Sequence, residues 1–140
     1  LFELEKFKKI EQLNTLIKFG KETYRKRDLL IKLITDLKTK GKRIIGYGAS
    51  GRATVHINFC KFSNQIIEYV VDASHERQGR FIPGMHIPIV PPEKLKTDNP
   101  DYAILFAYNY FDEVMKKESN YIQSGGKFRV PLPEPKIIEP

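Results

Sequence analysis

The 140-residue sequence predicts an α/β domain with three layers, built on a mostly parallel five-stranded sheet and preceded by a long N-terminal helix. Three observations predict it. From residue 43 onward, short apolar runs alternate with helical patterns, as parallel strands joined by crossover helices require. A glycine turn, Gly46-x-Gly48-x-x-Gly51, separates the first apolar run from the first of those helical patterns. Before it, apolar residues recur at three- and four-residue steps.

Leu4, Phe7, Ile10, Leu13, Leu16 and Ile17 keep that step, and Leu29, Leu30, Leu33, Ile34 and Leu37 resume it after Gly20. One helix, or two joined near Gly20, therefore fills residues 1–40. The pattern opens in mid-period without an N-cap residue, so this segment is expected to continue a larger parent protein. Gly41 suits a left-handed position just past the helix end. Ile44-Ile45 is the first strand, and Ile66 to Val71 is the second, ending at Asp72. A loop follows to Met85. Ile87 to Val90 is a third strand, placed at an edge by Pro88, which has no N–H to give a ladder. Pro91-Pro92 opens a short helix. Asp101 to Ala107 is apolar enough for the sheet centre. Phe111, Val114 and Met115 mark a helix to Tyr121, Gly125-Gly126 ends it, and Lys127 to Val130 is the fifth strand. Residues 41–134 then form a Rossmann-like domain with strand order 3-2-1-4-5, and residues 135–140 an extended tail.

The composition bounds the function. No apolar run approaches the ~20 residues that span a bilayer, and no signal peptide opens the chain. One cysteine, Cys60, can form no internal disulfide and suits a reducing compartment, so the expected setting is cytoplasmic, away from any membrane. Cys60 falls among apolar helix neighbours and reads as a buried structural thiol. The net charge of +7 sits in one place: residues 1–43 hold 13 Lys/Arg against 6 Asp/Glu, and the remainder holds 11 of each. Because these cations interleave with an apolar helical period and no nucleic-acid motif accompanies them, they read as a solvated helix face rather than a nucleic-acid site.

The glycine turn carries the functional signal. A strand, a tight turn and a helix N-terminus present main-chain N–H groups and a helix dipole to an anion. Gly46 is expected to permit the turn, Gly48 to let a pyrophosphate approach, and Gly51 to let the helix pack on the strand. Tyr47, Ala49, Ser50 and Arg52 complete the stretch; Ser50 serves as phosphate donor or N-cap, and Arg52 as phosphate clamp or solvated cation. Asp72 ends the second strand 21 residues beyond Gly51, where an acid accepts ribose hydroxyls or caps the next loop. Asn109 follows the fourth strand, where an amide reads a base or sugar edge or simply turns the chain. His75 is the histidine best placed for proton transfer; His56 faces the ligand or packs, and His86 reads as structural. No spacing resembles a zinc site, and no nucleophile arrangement is evident, so no residue is assigned as catalytic and none as a metal ligand.

Taken together, Gly46-Tyr47-Gly48-Ala49-Ser50-Gly51-Arg52, Val71-Asp72, Gln78-Gly79-Arg80, Ile82-Pro83-Gly84-Met85-His86-Ile87-Pro88-Ile89, Pro100-Asp101-Tyr102, Ala107-Tyr108-Asn109-Tyr110 and Val130-Pro131-Leu132-Pro133 resemble the C-terminal domain of bacterial sugar-nucleotide C-methyltransferases. The resemblance implies a domain that helps hold a nucleotide-linked keto-deoxysugar, typically on dTDP. It implies S-adenosylmethionine as methyl donor for the full-length enzyme, bound with the catalytic base in a methyltransferase domain outside these residues. No cofactor is then expected in this chain, and methyl transfer is not expected from it alone. Ser74-His75 stands where such proteins often have Asn-Pro. Two readings from other classes share the features: an NAD(P)- or CoA-binding domain, and a non-catalytic interaction module docking through the basic helix.

Overall fold

The computed structural model describes residues 10, 12–131 and 136–138. Leu4 and Phe7, expected in the first helix, lie outside the described residues. From Leu13 to Thr39 the helix is continuous through Gly20 (α1). Its apolar step buries Leu30, Ile34 and Leu37 against the sheet, each contributing about 1.5–3 kcal/mol of transfer free energy. Gly41, at φ +71°, ends it in the left-handed region, as the sequence predicts.

The remaining elements run β1 (Ile44–Tyr47), α2 (Gly51–Cys60), β2 (Val70–Val71), β3 (Ile89–Val90), α3 (Glu93–Asp98), β4 (Tyr102–Leu105), a 3₁₀ turn (Tyr108–Tyr110), α4 (Phe111–Lys117), α5 (Ser119–Gln123), β5 (Lys127–Val130) and β6 (Lys136–Ile138). One sheet holds all six strands in the order β3-β2-β1-β4-β5-β6. The first five are parallel, in the predicted 3-2-1-4-5 order, and β3 is at the edge where Pro88 places it.

Two faces follow from strand alternation. Ile44, Val70 and Ile104 point toward α1 and α2, whereas Ile45, Val71 and Leu105 point toward α3, α4 and α5. Both faces being covered explains why β1 and β4 read as unbroken apolar runs. At the amino end, Asp101 accepts from Lys42 Nζ and Arg43 N, both at 2.8 Å, tying the start of β1 to the start of β4.

Three expectations are corrected. The second strand is only Val70–Val71, because Ile66 and Ile67 turn back to donate to Ser63 O. The helix after β4 is split at Glu118, whose side chain turns inward to the phenol of Tyr47. Within the segment expected to be only an extended tail, Lys136–Ile138 pairs antiparallel with β5, since a return strand needs only a short connection.

Candidate functional site

Strand order reverses at β1, so the loops leaving β1 and β4 diverge and open a crevice at the carboxyl end of the sheet. There a cleft of about 310 Å³ is bounded by the turn after β1, the end of β2 and the wall of α4.

The glycines of the turn serve other purposes than those expected. Gly46 lies inside β1 rather than in the turn, and a Cβ there would meet Phe106 and Val70, each at 2.9 Å. Gly48 does need its freedom, at φ +88°, but its Cβ would strike the Ala107 Cβ at 2.7 Å. The close approach it permits in the fold is to Ala107, just beyond the end of β4. A Cβ on Gly51 would meet nothing within 4 Å, so this glycine is not required for packing helix on strand; its surroundings are open.

Nor is the whole turn available to a ligand. Gly48 N donates to Val71 O at 2.8 Å, and Ala49 N donates to Asp72 Oδ2 at 2.6 Å. What remains is the first turn of α2. Ser50 caps it, Oγ accepting from Ala53 N at 3.4 Å, and the N–H groups of Gly51 and Arg52 have no intrahelical acceptor.

Asp72 is 9% exposed and joins two loops. Besides Ala49 N, its carboxylate accepts from Ser74 N at 2.8 Å and from Arg77 Nη1 at 3.2 Å. Of the two roles the sequence left open, the structure places it as a loop cap, with lone-pair capacity remaining on the carboxylate.

Cations converge on the cleft. Arg52 lies over the Tyr108 ring at 4.9 Å, a cation–π contact that fixes its direction without neutralising it. Lys117 reaches the cleft from α4, and neither Arg52 nor Lys117 has an acidic partner among the described residues. Arg77 also lines it, shared with Asp72. Sequence reasoning places residues 72–78 and Tyr108 to Tyr110 beyond the strand ends, which takes in Arg77 and Tyr110 without singling them out, and it misses Lys117. The spacing of Tyr110 and Lys117, seven residues apart along one helix face, was the available signal.

Other expected residues stand apart. His75 is exposed, its Nδ1 3.3 Å from Gln78 Oε1, and does not line the cleft. Asn109 is exposed on the 3₁₀ turn and does not line it either. His56 packs: its Nδ1 lies 2.7 Å from Arg52 O, and its ring sits against Phe106 and Tyr108. Cys60 is 6% exposed, and burial pushes its thiol up to about 11.

Tyr47 forms part of the cleft floor, and its phenol donates to Glu118 Oε1 at 2.8 Å. Burial, then that hydrogen bond to a carboxylate, raises its pKa well above the ordinary tyrosine value. A phenol held protonated is no base at neutral pH. The cleft can thus bind and orient an anion bearing hydroxyls, and the carboxylates that share its lining are Asp72, held by three donors, and Glu113.

A second concavity, about 340 Å³, lies between α1 and α2 and is lined by Phe19, Leu30, Val55 and Phe59. Its lining is mostly apolar, with Thr23, Lys26, Arg27 and His56 also on its walls. Among the described residues, no helix is long and apolar enough to cross a membrane, and no His/Cys/Asp/Glu group could hold a metal ion.

Residues 1–133 match the family described as the C-methyltransferase C-terminal domain. The chain is also 34% identical, over 120 residues, to the C-methyltransferase NovU of Streptomyces niveus. That match covers 86% of this chain and spans 29% of the length of the relative.

Proposed function

The chain belongs to the C-methyltransferase C-terminal domain family, and from that premise we propose that it holds a nucleotide-linked keto-deoxysugar, on dTDP, for methylation at carbon. One observation carries the reading: Arg52 and Lys117 line the crevice from opposite walls with no acidic partner among the described residues. A diphosphate between them meets two cations and the Gly51 and Arg52 N–H groups at the dipole-positive end of α2. This differs from a receptacle made only of turn amides, because two of those are already used.

Methylation at the carbon next to a ketone requires loss of a proton and stabilisation of the enolate oxygen. S-adenosylmethionine supplies an electrophilic methyl group to that carbon. The crevice sets the cations Arg52, Arg77 and Lys117 beside the carboxylates of Asp72 and Glu113, with Arg77 paired to Asp72, which leaves Arg52 and Lys117 as the groups that favour a diphosphate. By this reading the donor and the base belong to a methyltransferase domain of the parent enzyme, in the cytoplasm, and this chain binds and orients substrate. Neither nucleic acid nor a membrane enters as a partner.

A thermal-shift panel of dTDP, NAD, CoA and S-adenosylmethionine tests the assignment, since a ligand that binds only the folded state raises its melting temperature. The expected result is a saturable rise with dTDP that exceeds the others. A larger rise with NAD or CoA makes this a dinucleotide or CoA domain; no response to any of them leaves an interaction module.

A further inference from the structure

Resting on the nucleotide reading above, we propose that Tyr110 is the platform on which the nucleobase stacks, with Lys117 meeting the phosphates farther along the same wall. Both line the cleft. Tyr110 caps the start of α4, and Lys117 ends that helix. Residues 110, 114 and 117 are spaced i, i+4, i+7, so one helix face carries all three, over a rise of about 10 Å. A ribose then bridges an aromatic end and a cationic end, over the apolar surface of Val114.

The choice among the aromatic rings is made by what they already touch. Tyr108 is covered by the Arg52 guanidinium and by the edge of His56. Tyr47 is buried with its phenol on Glu118. Tyr110 is 59% exposed, with no ring, ionic or side-chain hydrogen-bond partner among the described residues. Its backbone is nonetheless fixed, Tyr110 N donating to Ala107 O at 2.9 Å. A ring on an ordered backbone, open to a cleft at the switch point, loses little conformational freedom when a flat heterocycle covers it. Stacking tolerates any base, so dTDP and UDP are expected to use the platform alike.

Calorimetric titrations of the chain with dTDP and with inorganic pyrophosphate separate base from phosphate. Tyr110→Ala is expected to weaken dTDP roughly 5- to 150-fold and pyrophosphate less than about twofold, while Tyr110→Phe keeps both. Lys117→Ala is expected to weaken both. Tyr110→Trp introduces the sole tryptophan of the chain, and its fluorescence is expected to respond to dTDP and not to pyrophosphate. If the unsubstituted chain binds dTDP and Tyr110→Ala binds it equally well, or loses both ligands alike, the platform is wrong and the nucleotide reading stands. If the unsubstituted chain binds neither ligand, both are wrong.

Discussion

The backbone N–H of Ala49 donates to the carboxylate of Asp72 at 2.6 Å, closing the turn after the first strand onto the end of the second. A pair that the sequence presents as two sides of a nucleotide site is therefore also an internal strut. Asp72→Ala leaves the Ala49 and Ser74 N–H groups without their acceptor, and unpaired buried donors cost about 1–3 kcal/mol each. Urea unfolding is expected to show a loss of that order, with Asp72→Asn losing less. Unchanged stability in Asp72→Ala would mean that the strut carries no weight.

The glycines separate two roles. Gly48→Ala forces a Cβ to within 2.7 Å of Ala107 at a positive φ, and is expected to cost about 1–3 kcal/mol. Gly51→Ala enters open space in a helical first turn, and is expected to leave stability equal or slightly higher. Any loss of nucleotide affinity in Gly51→Ala then reports crowding of the ligand and not damage to the fold. Melting curves with and without dTDP give both readings.

Glu118 is 2% exposed, and its Oε2 has no hydrogen-bond partner among the described residues, so Tyr47 Oη–H is what supports the carboxylate. Tyr47→Phe is expected to destabilise by at least about 2 kcal/mol, because it strands a buried acid. Adding Glu118→Met removes the polar group as well and is expected to recover much of that loss. Strictly additive effects in the double-mutant cycle would contradict the coupling.

Asp101 shows how acid loosens the amino end of the sheet. Burial opposes its charge, but the Lys42 ammonium and the Arg43 N–H outweigh that and hold its pKa below the usual carboxylate value. A carboxylate with a lowered folded pKa contributes stability above its unfolded pKa, and that contribution disappears as pH falls through the folded value. Asp101→Asn is expected to be less stable than the parent at pH 7, with the gap closing as pH falls through and below the ordinary carboxylate range. A gap independent of pH would assign the effect to packing.

Cys60 combines burial with a thiol pushed up to about 11, so it stays protonated through the physiological range. Native protein at pH 8 is expected to resist iodoacetamide, and unfolded protein to label rapidly. Rapid labelling of the folded form would contradict the burial.

Much of the fold was legible because strands covered on both faces leave apolar runs, and Gly41 and Pro88 have strong positional preferences. The short second strand was not, since Ile66 and Ile67 are apolar whether they extend or turn back onto Ser63. The return of Lys136–Ile138 was hidden by the prolines around it. At the site, a crevice opens beside the glycine turn, but the sequence suggested the wrong reason for Gly46 and did not show what Gly48 packs against. Their neighbours, Phe106, Val70 and Ala107, come from distant sequence. Lys117 was missed for the same cause: only the folded chain brings the wall of α4 to the cleft beside the loop after β2.

Backbone amide shifts during titration with dTDP, followed by heteronuclear NMR on the chain, test the central assignment most directly. The expected result is saturable movement centred on Ser50, Gly51, Arg52 and Tyr110, with little change along α1. Absence of saturation, or shifts gathered instead around Phe19, Val55 and Phe59, would contradict it.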